Sequence, residues 1–288
     1  MNIGILYSLL YVFSLVISTL WLQSLGKHYA VYLLLTSSSL LAILTFNGIN
    51  IKSIIKTHAV AIKDYKSWFL MSFYLMLAWV FTYLSATINS LIFLAVVFLA
   101  NALFASIHSK QWVKLVINVV IIIMIYWANM KNGVTLAELY AVGAGLASFL
   151  YFSKSADFAK KHDLTPVQVL SIRFYLLFIF SICMLAFYSH PVAISFSWTD
   201  ILILVCLAVF NQILPNFFSQ SGLQHLGKTE FSFFVTLTPF LAFLMYEIVY
   251  QQWSYYMCIL TFFGTVALNY DWLANKYKNR ENRKSLIK

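Results

Sequence analysis

Long apolar segments alternate with short polar ones along almost the whole chain. An α-helix needs roughly 20 mostly apolar residues to cross about 30 Å of hydrocarbon, and each segment is close to that length. The pattern predicts ten spans: Gly4–Leu22, Tyr29–Phe46, Trp68–Leu84, Ile88–Ile107, Trp112–Ala128, Leu136–Ser153, Val167–Tyr188, Ile201–Ser219, Phe231–Val249 and Tyr255–Leu273. The predicted fold class is therefore an all-α membrane protein with ten transmembrane helices.

Helix start signals support several of these boundaries. In Thr165–Gln168, the threonine caps the helix, Pro166 takes the first helical position and the glutamine completes a capping box. A hydroxyl and an acid open three further spans, where free N–H groups and the helix dipole favour negative charge: Thr135 with Glu138, Thr199 with Asp200, and Thr229 with Glu230. We therefore interpret most acidic residues as structural.

The composition excludes a soluble domain. Apolar residues make up 62% of the 288 residues and charged residues only 10%, with a mean hydropathy of +0.83. The first apolar segment has no basic region before it and no Ala-x-Ala-like end, so we predict a retained span. The three cysteines lie inside apolar segments without a Cys-x-x-Cys pair, which predicts neither a disulfide framework nor a metal site. No cofactor is expected.

The positions of the charges predict the topology. With the N-terminus inside, the cytoplasmic segments hold the six basic residues of the tail and ten lysines, whereas the opposite side holds only Lys27 and Lys131. This asymmetry follows the positive-inside rule and places both termini in the cytoplasm, in a membrane we take to be the bacterial inner membrane. Because the net charge of +10 lies at helix ends and in the tail, it does not indicate nucleic-acid binding.

A faint internal repeat divides the chain. Phe93, Leu103, Ile107, Gln111 and Trp112 recur at a constant offset as Phe234, Leu244, Ile248, Gln252 and Trp253. Five spans per copy would insert the second copy upside down, and inverted repeats are typical of transporters with a site between the copies. The predicted units are residues 1–134, residues 135–273 and a basic cytoplasmic tail, 274–288.

Two segments carry a resemblance to a known family. The sequence SGLQHLGKTEFS at Ser221–Ser232, followed by Leu237–Pro239, resembles the second repeat of the EamA-like drug/metabolite transporter superfamily. Asp163–Pro166, followed by Arg173 and Phe174, resembles that family's entry into its seventh helix. The resemblance implies a transporter of amino acids, nucleotide-like metabolites or other small organic solutes, with a central cavity lined by helices 1–4 and 6–9.

The eighth span carries the most polar face of the chain. Gln212, Asn216 and Gln220 recur at four-residue steps beside Pro215, which frees a backbone carbonyl. Amides that face lipid are costly, so these side chains are expected at a helix interface or in a wet cavity. They are candidate substrate contacts, and hydrogen bonding between helices is the alternative.

Trp79 and Tyr83 share a face of the third span and suit a planar or cationic solute, although packing explains such a pair equally well. Arg173 and Glu247 are the two charges well inside spans, about 10 Å and 25 Å from the cytoplasmic side, so a direct ion pair is not expected. Arg173 either has a cavity or gating role or snorkels to the cytoplasmic headgroups. Glu247 is either a coupling carboxylate or an interfacial one.

No residue pattern supports catalysis, so an enzyme is not expected. The predicted function is a secondary transporter that moves a small organic solute, an amino acid or related metabolite, by alternating access. A non-transporting membrane receptor or assembly subunit is the alternative. The expected partners are a small-molecule substrate and the lipid bilayer, without nucleic acid, and a homodimer is left open.

Overall fold

The protein is helical throughout the part that the computed structural model describes, residues 3–128, 136–187, 197–250 and 255–270, and no β-strand occurs in these ranges. Within these ranges, six helical segments are long and apolar enough to cross a membrane: Ile3–Leu25, Val31–Ile49, Tyr65–His108, Leu136–His162, Pro166–Phe187 and Trp198–Gly227. The prediction of an all-α fold is confirmed for these ranges, and the six long apolar helices are compatible with the predicted membrane protein. The predicted tail, 274–288, and the Gln252–Trp253 pair lie outside the described residues.

Twelve α-helices follow one another in the described part of the chain. They are α1 (Ile3–Leu25), α2 (Val31–Ile49), α3 (Ile54–Lys63), α4 (Tyr65–His108), α5 (Trp112–Ala128), α6 (Leu136–His162), α7 (Pro166–Arg173), α8 (Tyr175–Phe187), α9 (Trp198–Leu207), α10 (Leu214–Val235), α11 (Thr238–Tyr250) and α12 (Tyr255–Leu268). A short 3₁₀ turn, Ile51–Ser53, precedes α3, and a π-helix, Ala208–Ile213, joins α9 to α10.

Helix α4 reverses direction at Asn89, where the backbone is extended (φ −152°, ψ 99°). Its contacts with α6 run antiparallel before Asn89 and parallel after it. The contacting pairs are Phe81 with Tyr140, Ser85 with Ala137, Ala100 with Gly145, and His108 with Phe149. The two arms of α4 thus form a hairpin with α6 packed along it. A Cβ on Gly145 would lie 2.6 Å from the Val97 carbonyl oxygen, so the small residues of α6 permit this close contact.

Helix α10 reverses in the same way at Gly227, whose φ of +75° suits glycine. The reversal brings Phe231 back against Gly222, where an added Cβ would lie 3.1 Å from the ring. Gly222 also lies against Ser8 of α1, and Tyr11 of α1 packs against Phe231 at 5.7 Å between ring centroids. Helix α1 therefore packs along the α10 hairpin as α6 packs along the α4 hairpin.

At each end of the bundle, polar side chains from segments that are distant in sequence contact one another. At one end, which we call the Asp64 end, Asp64 Oδ2 lies 2.6 Å from Lys161 Nζ and 2.9 Å from His162 Nε2. The hydrogen bond from Lys161, followed by that from His162, holds the pKa of Asp64 well below its usual range. At the opposite end, which we call the Tyr29 end, the Tyr29 hydroxyl donates to Asp200 Oδ1 at 2.5 Å.

The apolar-segment prediction missed α3. This helix is amphipathic: Ile55 and Ile62 are exposed with Lys56 and Lys63, while Thr57 faces the protein. It is too short and too charged to register as a span. Such a helix is typical of the membrane interface.

The observed helix caps agree with one prediction and change another. Thr165 caps α7 with the predicted capping box through Gln168. Ser197, rather than Thr199, caps α9 and forms a capping box with Asp200. A serine at N-cap places the acid three residues later, where it accepts the Ser197 N–H. The predicted cap at Thr135 lies outside the described residues.

Candidate functional site

A bend in the predicted seventh span positions the buried arginine. Helix α7 ends at Arg173 and α8 begins at Tyr175. At this bend Asn47 Nδ2 donates to the Ser171 carbonyl at 3.2 Å, and Trp68 Nε1 donates to the Ile172 carbonyl at 2.7 Å. Because side chains of α2 and α4 satisfy backbone carbonyls next to Arg173, they hold the bend in place.

Arg173 is fully buried and is surrounded by neutral groups. Its Nη2 donates to Asn216 Oδ1 at 2.5 Å and its Nη1 donates to Gln220 Oε1 at 3.3 Å. The guanidinium carbon lies 5.1 Å from the ring centroid of Tyr151 and 5.0 Å from that of Phe174. No carboxylate of the described ranges makes an ion pair with it. Its burial excludes snorkelling to the headgroups, but Arg173 is also not among the residues that line the neighbouring cavity.

A cavity of about 60 Å³ lies beside this cluster, between α1, α4, α6 and α10. It has room for a few water molecules. Six polar residues contribute to its lining: Tyr11, Thr82, Ser148, Tyr151, Asn216 and Ser219. Tyr151 and Asn216 border the cavity and also contact Arg173, so one layer of side chains separates the charge from the cavity.

The three amides of the eighth span are all buried, but they occupy different places. Asn216 lines the cavity, and Gln220 Oε1 accepts hydrogen bonds from Ser155 at 3.1 Å and Tyr151 at 3.4 Å in addition to Arg173. Gln212 is outside the cavity lining, and both polar atoms of its side chain lack a partner among the described residues. The sequence therefore identified one cavity residue and one residue that holds Arg173.

The aromatic pair of the third span is divided between two environments. Trp79 lines the cavity, whereas Tyr83 is fully buried outside the lining and donates to Ser38 Oγ of α2 at 3.2 Å. The two rings meet edge to face at 5.9 Å between centroids. Tyr83 thus supports the position of Trp79 and joins α4 to α2.

Glu247 lies away from the cavity lining. Its side chain is buried in α11 and accepts a hydrogen bond from Cys258 Sγ of α12 at 3.4 Å. Arg173 and Glu247 do not form an ion pair, as their different depths predicted. The carboxylate is therefore in the interior near α12, separate from the arginine cluster.

Sequence reasoning missed the polar face of α6. Ser148 and Tyr151 line the cavity, and Ser155 donates to Gln220. These residues lie three and four positions apart, so they share one helical face. That spacing was a usable signal in the sequence.

The described residues contain no group of three or more His, Cys, Asp or Glu side chains that could hold a metal ion. Comparison with protein-family models, with curated proteins and with solved structures finds no match to this chain.

Proposed function

We propose that this protein is a secondary transporter that moves a small organic solute, an amino acid or related metabolite, by alternating access. The observation that carries the proposal is a fully buried arginine with neutral partners, next to a polar-edged cavity inside an apolar helical bundle. Charged residues inside membrane helices are costly and typically mark substrate pathways. The substrate site in this proposal is the cavity, with Asn216 and Trp79 in its wall and Arg173 behind it.

The helical connectivity supports a ten-span arrangement. Each arm of the α4 and α10 hairpins counts as a separate crossing, α7 and α8 form one bent crossing, and α11 extends the second arm of α10. A helix from the other half of the chain packs against each hairpin: α6 packs against α4, and α1 packs against α10. This exchange supports two inverted five-helix units with the cavity between them.

The polar contacts at the two ends of the bundle suit a pair of gates. The Asp64 end joins the start of α4 to the end of α6, and the Tyr29 end joins the α1–α2 connection to α9. Each contact therefore links residues 1–134 to residues 135–273. Breaking one contact while keeping the other would open the cavity to one side only, which alternating access requires.

The lysine distribution assigns the Asp64 end to the cytoplasm. Lys52, Lys56, Lys63 and Lys66 surround Asp64 along the chain, and all four are exposed. Short loops that carry such lysine clusters stay on the cytoplasmic side of the membrane. We therefore propose a bacterial inner-membrane protein with both termini in the cytoplasm.

The test is solute flux in proteoliposomes that contain the purified protein. Vesicles preloaded with one candidate metabolite should accumulate the same labelled metabolite from outside, whereas protein-free vesicles should not. A receptor or assembly subunit would bind a ligand without such exchange. Ligand binding with no exchange across a panel of amino acids, organic acids and nucleosides would contradict the proposed function.

A further inference from the structure

The neutral surroundings of Arg173 carry an inference about the solute. A guanidinium taken out of water loses a large hydration energy, and a buried arginine is normally compensated by a carboxylate. Here the two hydrogen-bond acceptors are the amide oxygens of Asn216 and Gln220, and the remaining contacts are the faces of two aromatic rings. The positive charge is thus solvated by dipoles and is not neutralised within the described part of the chain.

Two hydrogen-bond donors at the same cluster have no acceptor among the described residues. Arg173 Nε and Gln220 Nε2 are buried without a partner among the described residues. Buried polar atoms in native proteins are nearly always paired, so unpaired donors beside a cation indicate a missing acceptor. A carboxylate supplies two acceptor oxygens and one negative charge, and it matches the planar fork of a guanidinium.

The cavity wall limits the rest of the solute. Trp79, Phe93, Phe98 and Phe152 contribute aromatic surface, and no acidic side chain of the described residues belongs to the lining. An ammonium group in the cavity would therefore lack a carboxylate partner. Apolar walls next to one uncompensated cation suit a solute with an apolar body and a single negative charge.

We propose that the solute is a small organic monocarboxylate whose carboxylate group binds Arg173. In the bound state the carboxylate accepts hydrogen bonds from the unused donors Arg173 Nε and Gln220 Nε2, and the apolar body lies against Trp79. The cavity of about 60 Å³ must widen to admit it, which requires the helices around it to separate. This inference rests on the proposed transport function for the identity of the site.

The probes are butyrate and 3-phenylpropionate, each compared with its uncharged amide, and phenylalanine as the zwitterionic relative. Binding to the purified full chain is measured by thermal stabilisation over a concentration series. The wild-type protein should bind each carboxylate about 10- to 100-fold more tightly than its amide, the range expected for a charge-assisted hydrogen bond. Phenylalanine should bind less tightly than 3-phenylpropionate.

Variants assign this preference to one side chain. Arg173→Gln keeps hydrogen-bond donors but removes the charge, so it should bind carboxylates and amides equally. Arg173→Lys should retain the preference, and Lys154→Gln removes an exposed charge of α6 outside the cavity and should bind like wild type. Equal binding of carboxylate and amide by the wild-type protein, or no binding of either, overturns the inference even if a variant fails to fold.

Flux measurements separate this inference from the transport proposal. Carboxylates that bind through Arg173 but do not exchange across the membrane would leave the anion site in place and contradict transport. Exchange of a neutral or zwitterionic solute, without a carboxylate preference, would leave transport in place and overturn the anion site.

Discussion

Arg173 and Asp64 are two charged residues that the fold holds in opposite ways. Asp64 lies at an end of the bundle, where its side chain is 17% exposed, Lys161 supplies a positive partner and His162 supplies a hydrogen bond. Arg173 lies inside the bundle with no exposed surface, and its partners are amide oxygens and aromatic rings. The Asp64 charge has an oppositely charged partner at the end of the bundle, whereas the Arg173 charge has none among the described residues of the interior.

The difference indicates that the two charges serve different purposes. A matched pair near water contributes modestly to stability and can fix the relative position of two helices. An unmatched buried charge opposes folding, so its retention is best explained by a ligand or a moving part. The comparison therefore supports the proposal that Asp64 belongs to a gate and Arg173 to a binding site.

The largest expected effect is that of Arg173 on transport. Arg173→Gln should insert normally but reduce solute exchange by about tenfold or more, because a charge-assisted hydrogen bond to the solute is lost. Exchange in proteoliposomes checks this, with Lys154→Gln as a matched loss of one positive charge. If Arg173→Gln exchanged the solute at the wild-type rate, Arg173 would not be a binding residue, and its proposed contrast with Asp64 would be wrong.

The amides around Arg173 should show a smaller effect. Asn216→Leu removes a cavity-lining group and should reduce exchange more than Gln220→Leu, which removes a partner of Arg173, Tyr151 and Ser155. Asn118→Leu is the matched control, because this buried amide of α5 donates only to a carbonyl of its own helix. Equal exchange in all three variants would return Asn216 and Gln220 to a packing role.

Asp64 should affect stability in a pH-dependent way. Its pKa is lowered from the usual 3.8, so its ion pairs contribute fully above about pH 5 and are lost as the pH falls below that value. Asp64→Asn should cost about 0.2–1 kcal/mol at pH 7. Thermal unfolding of both proteins at pH 7 and pH 3 checks this: the difference should shrink at pH 3. A difference that is equal at both pH values would contradict the assigned pairing.

Glu247 should have the smallest effect on exchange. If protons drive net transport through a carboxylate, Glu247 is the candidate, and Glu247→Gln should keep exchange while abolishing the response of net flux to a pH gradient. Uptake with and without an imposed gradient checks this. An unchanged gradient response in the variant would eliminate Glu247 as the coupling residue.

The sequence predicted the helical fold well because span length is a property of consecutive residues. The segment from Trp68 to Ile107 was divided between Leu84 and Ile88, close to the observed reversal at Asn89. Helix α3 was missed because apolar length is a poor signal for a helix that lies at the interface. The bend after Arg173 was also missed, since the groups that hold it, Asn47 and Trp68, are distant in sequence.

The sequence predicted individual residues of the site, but it did not predict which of them lie together. Arg173, Asn216 and Trp79 were singled out because each is polar or amphipathic within an apolar segment. Which of them meet depends on how helices rotate about their axes, and no local pattern encodes that rotation. Tyr83 and Gln212 have the same local pattern as their neighbours, yet both are buried outside the cavity lining.

The most direct test of the account is whether the cavity opens to both sides of the membrane. Ser219 lines the cavity, and Ser219→Cys in a background without Cys183, Cys206 and Cys258 places one thiol there. A membrane-impermeant maleimide is added to right-side-out vesicles and, separately, to inside-out vesicles. Alternating access predicts labelling from both sides, slowed by a transported solute. Labelling from one side only, or from neither, would contradict alternating access.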